Sequence, residues 1–522
     1  MVKKQQVLFV AAENGALPGG KVGGVADVMR DLPAALAKEG WSPGVATPSY
    51  GILHKRPGAT LLATVSVDFG GARDKVDVWQ VPGSFDSVRN LVFDHERFAV
   101  GGAGVIYAAD EPERPFATDA TKFAFFCAAL ASWIEESPSK KRPDVIHLHD
   151  WHSAFYLLLR EFRDKQRRLR SIRTVFTIHN LSYQGTRPLA GDVSSLESWF
   201  PKLKYDRKLL ADPAHANCLN PMAMAIRLAD KISTVSPTYA GEICLPSNPE
   251  AGFIGGEGLE HLLQAASESD RLTGVLNGCY YDDGASAKLE WTDLVAAMLL
   301  QVSLWRAKQP GNEAHTIAED RLRRLPAGKP RQVLVSVGRL VAQKASLFVA
   351  PVAGGKAALQ QIADDLDGDG VLIVLGSGEA RFEQALLAIA KKTENVIFLK
   401  GYSESLADPL YEIGDLFLMP SSFEPCGISQ LLAMRAGQPC VVHGVGGLLD
   451  TVDAGVTGFV FSGDNLSQQA NGFVATTSRA LQIRESDPKL WQSISENAAR
   501  QRFDWSSSAK ATIRHLYEAQ NG

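Results

Sequence analysis

One glutamate in the last third of the chain, Glu424, lies where a carboxylate can do chemistry. It follows a short apolar run, Leu416 to Met419, that predicts a buried strand, and it precedes an apolar helical face over residues 428–436. Open α/β sheets place ligand-binding groups at the carboxyl ends of their parallel strands, beside helix N-termini. Glu424 is therefore either a helix cap or a ligand-binding carboxylate at the sheet edge.

A second candidate is the loop ENGALPGGKVGG, residues 13–24, which holds five glycines and Lys21. It joins a predicted strand, Val7 to Ala11, to a predicted helix, Val25 to Lys38, and Asp27 falls in the first turn of that helix. Glycines let backbone N–H groups approach a ligand, and a helix N-terminus attracts phosphate. The spacing is neither GxGxxG nor GxxxxGK[ST], so an ordinary solvated role for Lys21 stays open.

Polar side chains also gather after two neighbouring predicted strands. The strand Asp144 to Leu148 runs into HLHDWH, residues 147–152, and the strand Thr174 to Ile178 ends in His179 and Asn180. Parallel strands share their polarity, so both groups are expected to converge on one cleft.

The chemistry of this convergence has two interpretations. Histidine and Asp150 are possible zinc ligands, but no HExxH or similar helical pattern supports a metal site. Hydrogen bonding of Asp150, His179 and Asn180 to a polyhydroxy ligand explains the mixture better. Either His147 or His149 is expected to be a buried, hydrogen-bonded histidine.

From Val333 onward, strands and helices alternate regularly, which predicts a parallel sheet wrapped by helices. The predicted strands are Val333–Val337, Val371–Leu375, Val396–Leu399, Leu416–Met419 and Cys440–His443. Arg339 and Lys344 follow the first of these strands and so face the same rim as Glu424. Two such cations can neutralise a diphosphate, although either alone also fits a surface charge.

The whole chain predicts an α/β protein of two domains. A length of 522 residues exceeds a single core, and the expected domains are residues 1–275, joined by the tail 503–522, and residues 276–502. Short strands between residues 51 and 111 predict a hairpin layer inserted on the first domain. Ligand groups on both sheets predict a cleft that closes on a phosphorylated substrate.

Composition excludes several classes of function. A net charge of -4 gives no nucleic-acid signal, and the six cysteines include no CxxC pair, which favours a reducing compartment without structural zinc. The first apolar run breaks at Glu13, too early for a signal peptide, and the longest, residues 123–134, is too short to span about 30 Å of hydrocarbon. We expect a cytoplasmic protein without a membrane partner.

Six stretches together resemble the bacterial glycogen synthases and plant starch synthases. They are KVGGVADV (21–28), HLHDWHSA (147–154), FTIHNLSYQG (176–185), VLNG (275–278), SVGRLVAQK (336–344) and SSFEPCGISQLLAMRAGQP (421–439). The resemblance implies a GT-B fold, two Rossmann-like domains facing each other across a deep cleft. It also implies transfer of glucose from ADP-glucose to the non-reducing end of an α-1,4-glucan such as glycogen, with retention at the anomeric carbon, no metal and no cofactor.

The same resemblance implies a role for each matching residue. Lys21 and Gly24 resemble nucleotide-sugar contacts supported by Asp27, and Asp150, His179 and Asn277 resemble groups around the glucose and the acceptor. Arg339 and Lys344 resemble the pair that stabilises the departing diphosphate. Glu424 resembles the carboxylate that holds the sugar hydroxyls, with Cys426, Gly427 and Ser429 beside it.

Three departures from the family pattern bear on activity. Val22 stands where the family usually has threonine, Ala345 replaces a glycine, and Cys279-Tyr280-Tyr281-Asp282-Asp283-Gly284 replaces the usual sequence after VLNG. Alternatives therefore stay open: a related GT-B enzyme that uses UDP-glucose, or a catalytically weakened glucan-binding protein. A dinucleotide-dependent oxidoreductase is disfavoured, because no strand leads into GxGxxG.

Overall fold

A computed structural model of the protein describes residues 4–139, 142–163, 168–281, 289–366 and 368–518. The chain divides into two compact units. Unit 1 contains the residues up to Pro246, Gly255–Gly278 and the residues from Asp504, and unit 2 contains Ser247–Ile254 and Cys279–Phe503. Residues 282–284, in the segment 279–284 that differs from the family sequence, lie outside the described residues.

The boundaries differ in detail from the predicted domains. The chain leaves unit 1 after Gly278 instead of 275 and returns to it after Phe503 instead of 502. Hydrogen bonds hold the two ends of this part of unit 2 together. The N–H of Cys279 donates to the carbonyl of Phe503 at 2.7 Å, and the N–H of Phe503 donates to the Tyr281 hydroxyl at 2.9 Å. The segment Ser247–Ile254 belongs to unit 2, where the Gln469 side chain donates to its backbone.

The described part of unit 1 contains a nine-stranded sheet and a two-stranded ribbon. The strands are β1 Gln6–Val10, β2 Ser42–Pro48, β3 Thr60–Phe69, β4 Ala72–Val81, β5 Arg89–Asp94, β6 Val145–His149, β7 Arg173–Ile178, β8 Arg187–Pro188, β9 Cys218–Leu219, β10 Lys231–Thr234 and β11 Leu272–Gly274. The large sheet has the order β11-β10-β7-β6-β1-β2-β5-β4-β3, and β8 pairs with β9. The pairs from β11 to β5 are parallel, and β4 and β3 complete the edge as antiparallel strands.

The prediction of a separate hairpin layer on the first domain is wrong. The strands between residues 51 and 111 do not form a separate layer, because β5 pairs in parallel with β2 and so continues the main sheet. Alternate residues of β4, Val76 and Val78, are fully buried beneath α2 (Ala117–Glu136), which covers this edge.

Helices cover both faces of the sheet of unit 1. Besides α2 they are α1 Gly24–Lys38, α3 Asp150–Phe162, α4 Leu196–Trp199, α5 Arg207–Leu210, α6 Pro221–Leu228, α7 Pro237–Glu242, α8 Glu260–Glu268 and, from the C-terminal end of the chain, α19 Trp505–Thr512. Helix α1 buries Val28, Met29, Leu32 and Leu36 at helical spacing in one core with Tyr517 of the short π-helix Ile513–Tyr517.

The described part of unit 2 is a six-stranded parallel sheet in the order β14-β13-β12-β15-β16-β17. Its strands are β12 Gln332–Val337, β13 Gly370–Gly376, β14 Val396–Lys400, β15 Leu416–Met419, β16 Cys440–His443 and β17 Gly458–Phe461. Its helices are α9 Trp291–Lys308, α10 Glu313–Arg324, α11 Ala342–Val349, α12 Ala358–Asp364, α13 Ala380–Lys392, α14 Glu404–Ile413, α15 Ser429–Arg435, α16 Gly446–Leu449, α17 Leu466–Ser486 and α18 Pro488–Arg500.

Each sheet has a point where the strand order reverses. In unit 1 it lies between β1 and β6, and in unit 2 it lies between β12 and β15. Ligands of open α/β sheets bind at such points, outside the carboxyl ends of the strands. The candidate residues of each unit follow these strands.

Candidate active site

In unit 2, a pocket opens at the carboxyl ends of β12 and β15. Its lining includes Arg339 and Lys344 after β12 and Ser421 after β15. The ammonium of Lys344 forms an ion pair with the carboxylate of Glu424, which also accepts a hydrogen bond of 2.9 Å from the Ser421 hydroxyl. The structure therefore brings together three residues that the sequence predicted for this rim, and adds Ser421.

The interpretation of Glu424 as a helix cap is wrong. Helix α15 begins only at Ser429, and its preceding residue, Ile428, makes no side-chain cap bond. The Glu424 carboxylate is buried and points to Lys344 and Ser421, while its backbone carbonyl accepts the N–H of Gly447 at 2.9 Å. The surrounding loop holds Glu424, and the helix N-terminus does not.

Arg339 differs from Lys344 in having no partner. Its side chain is exposed, and among the described residues it makes no ion pair or hydrogen bond. An unpaired guanidinium beside a paired ammonium can donate hydrogen bonds to the oxygens of a phosphate group.

The residues that follow Glu424 determine the conformation of its loop. Gly427 has a φ of +78°, which favours glycine. A Cβ on Gly447 would lie 2.4 Å from the backbone oxygen of Cys426, so the two loops touch through their main chains. Cys426 is buried, and Ser429 begins α15 with its side chain hydrogen-bonded to Tyr411. Cys426, Gly427 and Ser429 thus shape the loop.

In unit 1, the glycine-rich loop is closed by a residue that sequence reasoning had not assigned to the site. The Glu13 carboxylate accepts the N–H groups of Val22 and Gly23 at 2.7 and 2.6 Å. Lys21 pairs with Asp27 at 2.9 Å across the first turn of α1, which begins at Gly24. The predicted residues Lys21, Gly24 and Asp27 therefore lie in one short structure.

Asp150 lies at the junction of β6 and α3 in a strained conformation. Its φ is +55°, in the left-handed region, and its carboxylate accepts the N–H of His179 at 2.8 Å. Burial raises the pKa of Asp150 to about 7, although hydrogen bonds from the N–H groups of His179 and Asn180 act in the opposite direction. The structure thus brings Asp150, His179 and Asn180 together, as the parallel strands predicted.

The histidines beside Asp150 are buried and hydrogen-bonded in two separate sets, and the rings of His147 and His149 stack with their centroids 4.3 Å apart. His149 Nδ1 lies 2.8 Å from His179 Nε2, and His147 bonds to the hydroxyls of Tyr517 at 2.7 Å and Thr177 at 2.6 Å. Burial lowers the pKa of His147 to about 3 and that of His179 to about 4, and burial lowers that of His149 well below its ordinary value. At neutral pH these imidazoles are uncharged hydrogen-bonding groups.

The two polar groups of unit 1 are linked through Tyr107. Its hydroxyl donates to Glu13 at 2.8 Å, and its ring lies 5.3 Å from the ring of His152, in the first turn of α3. A second pocket is lined by His149, His179 and Asn277, so Asn277 also joins the group. The Asn180 side chain accepts the N–H of Ser182, which shapes the loop after β7.

The sequence missed Glu13, Tyr107 and Ser421. Glu13 ends the first apolar run and opens the glycine-rich loop, Tyr107 lies in no motif, and Ser421 lies in the stretch SSFEPCGISQ, but no role was implied for any of the three. Within the described ranges, no group of three or more histidine, cysteine, aspartate or glutamate side chains is arranged to hold a metal ion. The predicted zinc alternative therefore gains no support from these residues.

Comparison with known proteins relates this geometry to a family. The profile of the starch synthase catalytic domain matches residues 6–265, and that of the group 1 glycosyl transferases matches residues 319–499. A glycogen synthase from Streptococcus sanguinis is 32% identical over 519 residues, which cover 97% of this chain and 98% of the relative. The chain belongs to the glycogen and starch synthase family.

Other members of the family agree with this assignment. A glycogen synthase from Exiguobacterium sibiricum is 31% identical over 513 residues, covering 97% of each chain. The solved catalytic domain of starch synthase IV from Arabidopsis thaliana, bound to ADP and acarbose, is 26% identical, with a TM-score of 0.73 and 99% of each chain covered. The predicted GT-B fold class is confirmed, and the chain is a glycosyltransferase of glucan synthesis.

Proposed function

We propose that this enzyme transfers glucose from ADP-glucose to the non-reducing end of an α-1,4-glucan, with retention at the anomeric carbon. The observation that carries the proposal is the pocket of unit 2, where the free guanidinium of Arg339 lies with the Lys344–Glu424 pair among the described residues. This set combines cations for a diphosphate with a carboxylate for sugar hydroxyls. The family relative solved with ADP and acarbose, a nucleotide and an oligosaccharide analogue, supports the same substrates.

In the proposed reaction, Arg339 and Lys344 stabilise the charge that grows on the leaving diphosphate. Fixed donors of this kind typically contribute about 3 kcal/mol each to transition-state stabilisation. Glu424, which pairs with Lys344 in the free protein, would accept hydroxyl groups of the transferred glucose once Lys344 turns to phosphate. These cations supply the neutralisation that a metal ion would otherwise provide, and the proposal includes neither a metal nor a cofactor.

The residues of unit 1 are proposed to bind the same substrates. Lys21 and the start of α1 at Gly24 supply positive charge and N–H donors, and Asp27 holds Lys21 in place. Asp150, neutral His179 and Asn277 are hydrogen-bonding groups for sugar hydroxyls. The position eight residues after Glu424 is Leu432, so this stretch offers one carboxylate and not a glutamate pair. Without a clear nucleophile, we favour attack on the same face as the leaving diphosphate.

A glucan-elongation assay with ADP-, UDP- and GDP-glucose in parallel tests the proposal. Purified enzyme is incubated with glycogen and each labelled donor, and label in precipitated glucan is measured against a reaction without glycogen. Incorporation from ADP-glucose should exceed that from the other donors. Higher incorporation from UDP-glucose would favour the alternative donor, and glycogen binding without incorporation would favour a weakened, glucan-binding protein.

A further inference from the structure

Glu13 is a buried carboxylate at the carboxyl end of β1 whose oxygens are all engaged by its own unit. One oxygen accepts the N–H groups of Val22 and Gly23, and the other accepts the Tyr107 hydroxyl at 2.8 Å. The residue is only 3% exposed. Burial and the neighbouring charge of Glu13 raise the pKa of Tyr107 well above its ordinary value, so the hydroxyl stays protonated and donates.

The two amides held by Glu13 immediately precede the first turn of α1. The side chain of Val22 is 54% exposed, so this residue is fixed through its backbone and not through packing. The next N–H groups, of Gly24 and Val25, begin the helix, where the first amides lack acceptors within the helix and favour anions. By holding the Val22 and Gly23 amides, Glu13 therefore fixes the orientation of the free N–H groups at the start of α1 and of Lys21 before them.

The rest of the loop, residues 14–20, is held in place by its own backbone hydrogen bonds and close packing. The N–H of Gly15 donates to the carbonyl of Ala26 at 3.0 Å, and the N–H of Asn14 donates to the carbonyl of Gly20 at 2.8 Å. A Cβ on Gly20 would lie 2.5 Å from the Asn14 carbonyl oxygen, so the loop has little freedom there. Residues 21–23 are thus the part whose position depends on the carboxylate.

We propose that Glu13 is a positioning residue for the nucleotide-sugar donor: it does not touch the donor, but fixes the Val22 and Gly23 amides so that Lys21 and the start of α1 meet the diphosphate. This inference rests on the proposed function, because it names the donor that the loop receives. It also explains why a negative side chain lies at a loop that binds an anion. The charge is neutralised by three hydrogen bonds and turned away from the ligand.

Two conservative variants separate the shape of Glu13 from its charge. In Glu13→Gln the remaining oxygen can accept both amides, and the new amide group can donate to the Tyr107 hydroxyl. Glu13→Asp keeps the charge but is one methylene too short to reach the loop. Glu39→Ala, at the opposite end of α1 and hydrogen-bonded to Ser506, is the matched control.

The donor and acceptor KM values, measured by steady-state kinetics with ADP-glucose and glycogen, should distinguish these variants. We expect Glu13→Asp to raise the donor KM about tenfold with the acceptor KM within about twofold, and Glu13→Gln and Glu39→Ala to stay within about threefold of wild type. A larger defect in Glu13→Gln than in Glu13→Asp would show that the charge itself acts on the substrate and would overturn the proposal. An unchanged donor KM in Glu13→Asp would overturn it as well.

Amide hydrogen exchange of residues 20–26 provides a readout that does not require turnover. Exchange in this segment should be at least about tenfold faster in Glu13→Asp than in wild type or Glu13→Gln, and added ADP should slow it in the latter two. If wild type transfers no glucose from any donor, the proposed function fails, but this ADP-dependent pattern would still support the role of Glu13. Equal exchange in all variants, or no effect of ADP on wild type, would contradict it.

Discussion

Lys344 and Glu424 neutralise each other in a pocket where, within the described chain, Arg339 remains unpaired. With the proposed substrate, the two cations would bind the diphosphate, and the carboxylate would accept hydrogen bonds from sugar hydroxyl groups. Because Glu424 is buried, removing either partner leaves a charge without its counterpart, which typically costs about 3 kcal/mol or more.

Substitution of this pair should therefore abolish most of the transfer. We expect Lys344→Ala and Glu424→Ala each to lower kcat at least about a hundredfold, because each removes fixed charge from the transition state. Lys356→Ala, which removes a surface lysine paired with Asp364, is the control and should keep full activity. Label incorporation at saturating donor measures the effect, with a melting curve to confirm folding. Turnover near wild type in either site variant would remove these residues from the mechanism.

Asp150 should give the enzyme a titration near neutral pH. Because burial raises its pKa to about 7, the carboxylate is protonated below that pH and ionised above it. If the ionised form accepts a sugar hydroxyl, kcat/KM should rise with pH through about 7. Asp150→Asn should lower activity and remove this rise, whereas His261→Gln, on an exposed residue, should retain it. The same rise in Asp150→Asn would assign the titration to another group.

At the scale of elements, the strands that carry the site were predictable from apolar runs. Strands β15 and β16 begin and end where the sequence predicted, and both polar groups follow their strands as expected. The run GVLN, residues 274–277, predicts a last strand for the first domain, but β11 spans Leu272–Gly274 and ends where the chain packs so closely that a Cβ on Gly274 would lie 2.2 Å from the Ser236 oxygen. No local pattern reports such a contact.

The partners inside the site were not predictable in the same way. Lys344 and Glu424 are 80 residues apart, so the sequence could assign them to one rim but not to one ion pair. The three donors to Glu13 come from two separate loops, and no spacing in the sequence relates them to one carboxylate. Tertiary packing alone determines these contacts.

The loop of Glu424 should depend on Gly447. In Gly447→Ala the new methyl group would lie about 2.4 Å from the Cys426 oxygen, so the loop must move, at a cost of about 2 kcal/mol by analogy with overpacked cores. We expect lower thermal stability and at least about tenfold lower activity, since Gly447 also donates to the Glu424 carbonyl. In Gly328→Ala nothing lies within 4 Å of the new Cβ, and both properties should remain unchanged. Unaltered activity of Gly447→Ala would show that the loop tolerates displacement.

The histidine cluster should make unit 1 sensitive to acid. Burial lowers the folded-state pKa of His147, His149, His152 and His179 below the ordinary value of 6.5, so the stability present above pH 6.5 is lost as the pH falls toward 3. Asp150, whose pKa is raised to about 7, makes the folded state more stable as the pH falls from about 7 to 4. This single carboxyl opposes four histidines, so the net stability should still fall. Melting temperatures should fall on acidification below pH 6.5, and His152→Gln should reduce this slope while His261→Gln leaves it unchanged. An equal slope in both variants would contradict the assignment.

At the scale of the whole molecule, the relatives match nearly the full chain, so both units share the family assignment. Among the helices that the structure describes, none has the length and apolar character required to cross a membrane. Residues that depart from the family pattern make contacts within their own units: the N–H of Val22 donates to Glu13, and the Tyr281 hydroxyl accepts the N–H of Phe503.

The proposed use of Arg339 and Lys344 in place of a metal ion predicts insensitivity to chelators. Enzyme dialysed against EDTA should keep its rate within about twofold, because fixed cations supply the charge. The assay should be repeated with added Mg²⁺ as a control. A large loss of activity on chelation that Mg²⁺ restores would show that a metal ion takes part.

Transfer from ADP-glucose to an α-1,4-glucan is tested most directly with a defined acceptor, maltoheptaose. Products are separated by length, and the new glycosidic bond is identified by proton NMR. We expect a ladder of oligosaccharides, each one glucose longer than the last, with α-1,4 bonds at the non-reducing end. A β linkage, a different bond position, or the absence of any longer product with ADP-glucose would contradict it.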